Sequence, residues 1–204
     1  MKEGYSFFER KRKSLSALFL IVCIGFALVT HHSWDLGSGF DIGMDIAGVL
    51  LVLAGVAGRV WSTLYIGGRK NRELVTKGPY SLTRNPLYFF SFIAGVGITL
   101  ELENLYLIIA FLVAFPVYYH FVIKSEERRL AKLFPAEFEA YRRSTPAFFP
   151  RFSSMDFSGM TIHSAGLIKK CVLDGAVFLL MLCAAVAIEH IQEMGLLATL
   201  ITVP

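Results

Sequence analysis

The sequence predicts an all-α, polytopic integral membrane protein, and three observations carry that prediction. Of 204 residues, 55% are hydrophobic and only 18% charged, with a mean hydropathy of +0.57, too apolar for a soluble domain of this length. The apolar residues gather into five stretches. Nearly all the lysines and arginines fall between those stretches, in blocks that favour one face of a bilayer.

A helix rises about 1.5 Å per residue and the hydrocarbon core is about 30 Å thick, so a span needs about 20 mostly apolar residues. Spans are predicted at Leu15 to Thr30, Ile42 to Ile66, Leu87 to Leu100, Leu105 to Ile123 and Cys171 to Ile188. The first and third are short and lean on aromatic or polar flanks. The first follows the basic cluster Arg10 to Lys13, as a signal peptide would. No A-x-A-like cleavage site follows before Trp34, so it is read as a retained helix. In the second, Gly48, Gly55 and Gly58 make a small-residue face that admits another helix closely. In the fourth, Pro116 removes a backbone donor and is expected to kink the helix. No repeat of 20 to 50 residues is visible. The expected division is a transmembrane hairpin over 1–70, a core over 71–152, and a linker with a last helix over 153–204.

Charge placement predicts orientation. Five basic residues lie in the tail up to Lys13, five between Gly67 and Pro86, and nine between Lys124 and Lys170; Arg59 in the second span is the remaining one. The loop from His31 to Asp41 and the turn Glu101 to Asn104 contain none. The N-terminus and both basic segments are therefore expected on the cytoplasmic side. The net charge of +4 reflects this topology, and no nucleic-acid partner is expected.

After the fourth span the chain reads SEERRLAKLF and then PAEFEAYRR, predicting two short amphipathic helices at the membrane surface, separated at Pro135. Pro135 suits the first helical position, Glu137 and Glu139 the first turn, and Arg142 and Arg143 the last. The aromatic run TPAFFPRF is expected at the interface.

Several chemistries have no support. No G-x-G-x-x-G, P-loop, G-x-S-x-G or H-E-x-x-H occurs. Cys23, Cys171 and Cys183 lie in or beside apolar runs and read as packing residues. With no Cys/His ligand spacing, no metal site is expected. The histidines are scattered and read as interfacial. What remains is a polar, aromatic, Gly/Pro-punctuated cytoplasmic face: RELVTKGPYSLTRNPLY before the third span and SEERRL after the fourth. A hairpin of those spans, closed by the turn Glu101 to Asn104, brings Tyr80, Arg84, Asn85 and Tyr88 near Glu126 and Glu127.

These two strings, RELVTKGPYSLTRNPLYFF and EERRLAKLFPAEFEAYRRSTPAFFP, resemble the paired motifs of the isoprenylcysteine carboxyl methyltransferases and related phospholipid methyltransferases over about Leu74 to Pro150. The resemblance implies a cytoplasm-facing pocket for S-adenosylmethionine, with cofactor contacts from Leu74, Val75, Tyr80, Asn85, Pro86, Leu87, Tyr88 and Glu126; the residue chemistry alone adds Glu127 as a second cofactor-binding carboxylate. The phospholipid enzymes add a G-x-G, here Gly95 and Gly97. It also implies methyl transfer to an amphiphilic or lipidated acceptor in the bilayer, carboxyl O-methylation being favoured and a phospholipid amine the alternative. Asn85 replaces the usual His, Pro135 a frequent Gly, Ser144 and Ala147 frequent Arg residues, and Val122 the substrate arginine of the prenylcysteine enzymes.

The residue types suit that chemistry. A cationic sulfonium with a ribose and an amino-acid tail calls for carboxylates and aromatic faces. Arg84 is expected to act in catalysis by a bidentate hold on an anionic substrate or on the cofactor's carboxylate. Plainer readings exist. Glu126 can bridge Arg129 one turn on, Arg84 can anchor to anionic lipid, and Asp174 can pair with Lys170. Gly95 and Gly97 lie about 200° apart around a helix, so at least one is expected to serve packing. Arg59 is either functional or reaches back to the interface. Two further readings are an NADPH-dependent membrane reductase, from a similar motif arrangement, and a non-catalytic membrane subunit.

Overall fold

Helices make up almost all of the regular structure. The computed structural model describes residues 21–32, 38–69, 72–156, 158, 165–196 and 201–203. Residues 21–29 are helical, followed by α1 (Gly39–Ile66), the single turn α2 (Pro79–Leu82), α3 (Pro86–Glu101), α4 (Leu105–Leu133), α5 (Pro135–Ser144) and α6 (Ala165–Glu193). Among the described residues the departure from helix is a three-residue parallel pairing of β1 (Thr30–His32) with β2 (Ile201–Val203).

Three helices are long and apolar enough to cross a bilayer, Gly39–Ile66, Leu105–Leu133 and Cys171–Gln192, and Pro86–Glu101 is a shorter apolar one. These match the second to fifth predicted stretches. The start of the first, the basic cluster Arg10 to Lys13 and the Trp34 loop lie outside the described residues. The protein is an all-α integral membrane protein.

Contacts divide the chain into two compact units, Met1–Val52 with Gly95–Ser125 and Leu180–Pro204, and Leu53–Ala94 with Glu126–Leu179. In the first unit α3 lies so close to α1 that a Cβ on Gly97 would sit 2.6 Å from the Gly48 carbonyl oxygen. On another side of α3, a Cβ on Gly95 would strike the Phe111 ring of α4. Asn104 starts α4: its Oδ1 accepts the Leu107 N–H at 3.2 Å while its Nδ2 donates to Thr30 Oγ1 at 2.9 Å. Gln192 donates to the carbonyls of Ala27 at 2.6 Å and Thr30 at 2.8 Å, satisfying backbone groups left over where the 21–29 helix ends.

In the second unit the predicted small-residue face of α1 continues. A Cβ on Gly55 would lie 2.6 Å from the Ala94 side chain and 2.7 Å from the Phe90 carbonyl oxygen, and one on Gly58 would meet the Phe90 ring. Arg59 does not reach back toward water. It donates to Asp174 Oδ2 at 3.1 Å, to the Leu87 carbonyl at 3.2 Å and to the Ser91 hydroxyl, with its guanidinium carbon 4.9 Å from the Phe178 ring centroid. Asp174 therefore pairs with Arg59, because a charge inside an apolar helix gains most from an opposite charge at the same depth; the side chain of Lys170, its expected partner, lies outside the described residues.

One correction concerns residues 125–133, which form no separate helix. α4 runs unbroken from Leu105 to Leu133, through Pro116. No glycine or proline lies between Pro116 and Pro135, and the intervening Ser-Glu-Glu-Arg-Arg-Leu-Ala-Lys is rich in strong helix formers. Its 29 residues span about 44 Å, more than the hydrocarbon thickness, so the Glu126 end extends past it. α5 begins as predicted, with Pro135 at its first position, Glu137 in its first turn and Arg142 and Arg143 in its last.

Candidate active site

The segment KGPYSLTRNPLY is positioned by its punctuation. Gly78 has φ 62°, in the left-handed region that glycine tolerates, and a Cβ there would strike the Tyr65 ring. Its N–H donates to the Asp156 carbonyl at 2.6 Å. Pro79 then opens the turn α2, which buries Pro79, Tyr80, Ser81 and Leu82. Thr83 is extended, and Pro86 restarts the helix as the first residue of α3.

Between α2 and α3 the chain is joined to the segment that follows α5. Arg84 N–H donates to the Pro146 carbonyl at 2.9 Å and Arg151 N–H to the Leu82 carbonyl at 2.9 Å. Thr83 Oγ1 and Asn85 Nδ2 both donate to the Ala147 carbonyl, at 3.2 and 2.9 Å. Tyr141 of α5 donates its phenolic hydroxyl to the Tyr80 carbonyl at 2.6 Å. The two motifs, far apart in sequence, are thus one structure.

The predicted juxtaposition of the hairpin ends is present. Arg84 Nε donates to Glu127 Oε1 at 2.8 Å, and its Nη1 donates to the carbonyls of Thr145 at 2.5 Å and Arg142 at 3.1 Å. Tyr88 donates to Glu126 Oε2 at 2.8 Å, and Arg129 Nη2 lies 3.5 Å from Glu126 Oε1. The bridge to Arg129 and the contact with Tyr88 coexist, one on each oxygen. Asn85 Nδ2 lies 3.5 Å from Glu127 Oε1. Glu126 and Glu127 therefore differ: Glu127 is paired with a half-buried arginine at 2.8 Å, and Glu126 is held by a phenol and a longer ion pair.

Tyr80 is buried, and its hydroxyl has no hydrogen-bond partner. Burial, reinforced by the nearby Glu126 charge, pushes that phenol well above its ordinary range, so it stays a neutral donor. Burial likewise raises Tyr141. A cleft of about 710 Å³ reaches Tyr141 and is lined by Arg72, Glu73, Leu74, Thr76, Phe134, Glu137, Ala140, Tyr141 and Ser144; Tyr80, Tyr88 and Glu126 do not line it. An apolar groove of about 410 Å³ is lined by Trp61, Leu82, Phe89, Pro150, Phe152 and Met155 among others.

Of the expected cofactor residues, Leu74 lines the cleft and Val75 beside it is half-buried. Tyr80, Asn85, Tyr88, Glu126 and Glu127 stand together. Pro86 and Leu87 begin α3, with the Leu87 carbonyl taken by Arg59 and Ser91. Gly95 and Gly97 are different, because the space a side chain would fill at each is already filled by protein. Each lets a neighbouring helix approach closely. Arg84, expected to hold a substrate, has Nε and Nη1 engaged by the protein, leaving Nη2. Tyr141 in the cleft was not singled out from sequence, although it stands at an aromatic position of the second motif, and Ser144 was noted only as standing in place of a frequent Arg.

Residues 44–137 match the phospholipid methyltransferase family. The chain is 36% identical over 200 residues to the nickel-cobalt-cadmium resistance protein NccN of Alcaligenes xylosoxydans xylosoxydans, covering 98% of this chain and 92% of that one. It is 34% identical over 198 residues to the cobalt-zinc-cadmium resistance protein CzcN of Cupriavidus metallidurans, covering 97% and 90%. No solved structure matches. Paired motifs joined in space, a family match over the first and the start of the second, and likeness along nearly the whole chain lead to one conclusion: the protein belongs to the phospholipid methyltransferase family, within the isoprenylcysteine carboxyl methyltransferase-like group of integral membrane proteins.

Proposed function

We propose that this protein transfers the methyl group of S-adenosylmethionine to an amphiphilic acceptor held in the bilayer, on the cytoplasmic side, with a carboxylate as the favoured acceptor group. The observation that carries the reading is the buried Tyr80 hydroxyl, which has no partner in the protein and lies by Glu126. A buried donor left unpaired costs about 1–3 kcal/mol, and a polar ligand removes that cost. The cleft volume falls in the range of small-molecule sites.

The cofactor, when bound, supplies a methyl group on a cationic sulfur. Glu126, fixed by Tyr88 and Arg129, keeps lone pairs for hydroxyl or ammonium donors, and Tyr80 offers a neutral hydroxyl beside it. Glu127 and Arg84 are positioning residues: their ion pair, with the carbonyls of Arg142 and Thr145, fixes the start of α3 against the end of α5. Carboxyl O-methylation needs no general base. It needs in-line placement and exclusion of water, and the apolar groove beside Leu82 suits the acceptor's hydrocarbon part.

Calorimetric titration of the detergent-purified chain with S-adenosylmethionine and with NADPH tests the cofactor. We expect S-adenosylmethionine to bind and Glu126→Ala to weaken it at least about tenfold, about 1.4 kcal/mol. Labelled methyl should then appear in a membrane lipid extract and not in a soluble one. Binding of NADPH alone would replace this reading with a reductase, and cofactor binding without transfer would mark a non-catalytic subunit. The relatives' names concern nickel, cobalt, zinc and cadmium resistance. We infer a similar physiological setting here, and growth of a deletion strain on those metals tests it.

A further inference from the structure

We propose that Asp45, Glu101 and Glu189 form an oxygen-donor binding site for a divalent cation, separate from Tyr80, Tyr88 and Glu126. All three lie in the first compact unit. They come from three helices, Asp45 near the start of α1, Glu101 at the end of α3 and Glu189 near the end of α6, so no local sequence spacing announces them.

One carboxylate oxygen from each lies within 4.8 Å of the other two. Two oxygens on opposite sides of a cation with bonds of about 2.2–2.4 Å are themselves about 4.4–4.8 Å apart. The trio can therefore close on one ion with small side-chain movement. Glu101 is 2% exposed and its Oε1 has no hydrogen-bond partner, which is the state of a ligand atom awaiting a charge. The oxygen is also closely packed: a Cβ on Gly48 would lie 2.5 Å from it, so a side chain at that place would push the carboxylate aside.

The stretches around the trio are poor in fixed positive charge. No lysine or arginine occurs in residues 14–58, 85–123 or 171–204, the stretches that supply the trio and its surroundings. Glu103 adds a further carboxyl group near Asp41, Asp45 and Glu189. Like charges gathered in an apolar setting either share protons or hold a cation, and the exclusively carboxylate donor set suits a hard divalent ion such as Mg²⁺, Ca²⁺ or Mn²⁺.

The test is a Mn²⁺ titration of the detergent-purified full chain, read by loss of the free-ion paramagnetic resonance signal, with competition by Ca²⁺ and Mg²⁺. The expected result is a saturable site that Ca²⁺ displaces, weakened at least about tenfold by Glu101→Gln, Glu189→Gln and Gly48→Ala. Circular dichroism and elution as a single species control for folding. Should the variants misfold, added Mn²⁺ should still raise the melting temperature of the unaltered chain. Mn²⁺ binding no greater than the detergent blank, or equal binding by well-folded variants, would overturn the proposal. So would an unmoved melting temperature.

Discussion

Arg84, Tyr80 and Glu127 show how far side-chain chemistry could be read from residue types. The sequence placed Arg84 beside Glu126 and Glu127, and the structure pairs it with Glu127 at 2.8 Å. It did not reveal that the same guanidinium also serves the Arg142 and Thr145 carbonyls, since backbone acceptors leave no mark in residue identity. Arg84→Lys should therefore lose most methyl transfer despite keeping its charge, because one ammonium cannot reproduce the planar set of donors. Partial rescue of turnover without altered cofactor affinity would point back to a direct substrate contact. Tyr80→Phe separates binding from stability. It removes a hydroxyl that the protein leaves unpaired, so thermal stability should hold or rise slightly while S-adenosylmethionine affinity falls about three- to tenfold. A lower melting temperature with unchanged affinity would show the hydroxyl to be structural.

Among the elements, the glycines of α1 were legible as a small-residue face, and contact with α3 explains them. Which helix fills that face was not legible, because a glycine spacing describes a surface and not its occupant. Gly55→Ala should destabilise the protein by about 1–3 kcal/mol, since its Cβ would press on backbone atoms that cannot yield. Gly43→Ala, in the same helix with nothing within 4 Å, should be neutral or gain up to about 1 kcal/mol. Denaturation of the two variants in one detergent checks the contrast, and equal effects would argue against close helix contact. The end of α4 was misread for a related reason. A change from apolar to charged sequence at Ser125 marks where the helix leaves hydrocarbon, and nothing in that change stops a helix.

At the scale of the whole molecule, the second to fifth apolar stretches were legible because hydrocarbon imposes length and composition on a helix. The Asp45, Glu101 and Glu189 cluster was not, because it exists only once three distant segments fold. The distribution of basic residues predicts that the loop holding Lys77 faces the cytoplasm and the loop holding Trp34 the opposite side. Reaction of a Trp34→Cys variant with an impermeant thiol reagent only from the cytoplasm would reverse that orientation. α3 has a consequence of its own. Its 16 residues measure about 24 Å, some 6 Å less than ordinary hydrocarbon thickness. Lipid bordering such a helix thins to meet it, at a cost that grows with each ångström of mismatch. Bilayer thickness thereby becomes a control variable for a site that begins at the first residue of α3. In vesicles of constant head group and graded acyl-chain length, methyl transfer should be fastest in the thinner bilayers and fall as the chains lengthen, and a rate indifferent to thickness would mean that α3 does not meet lipid.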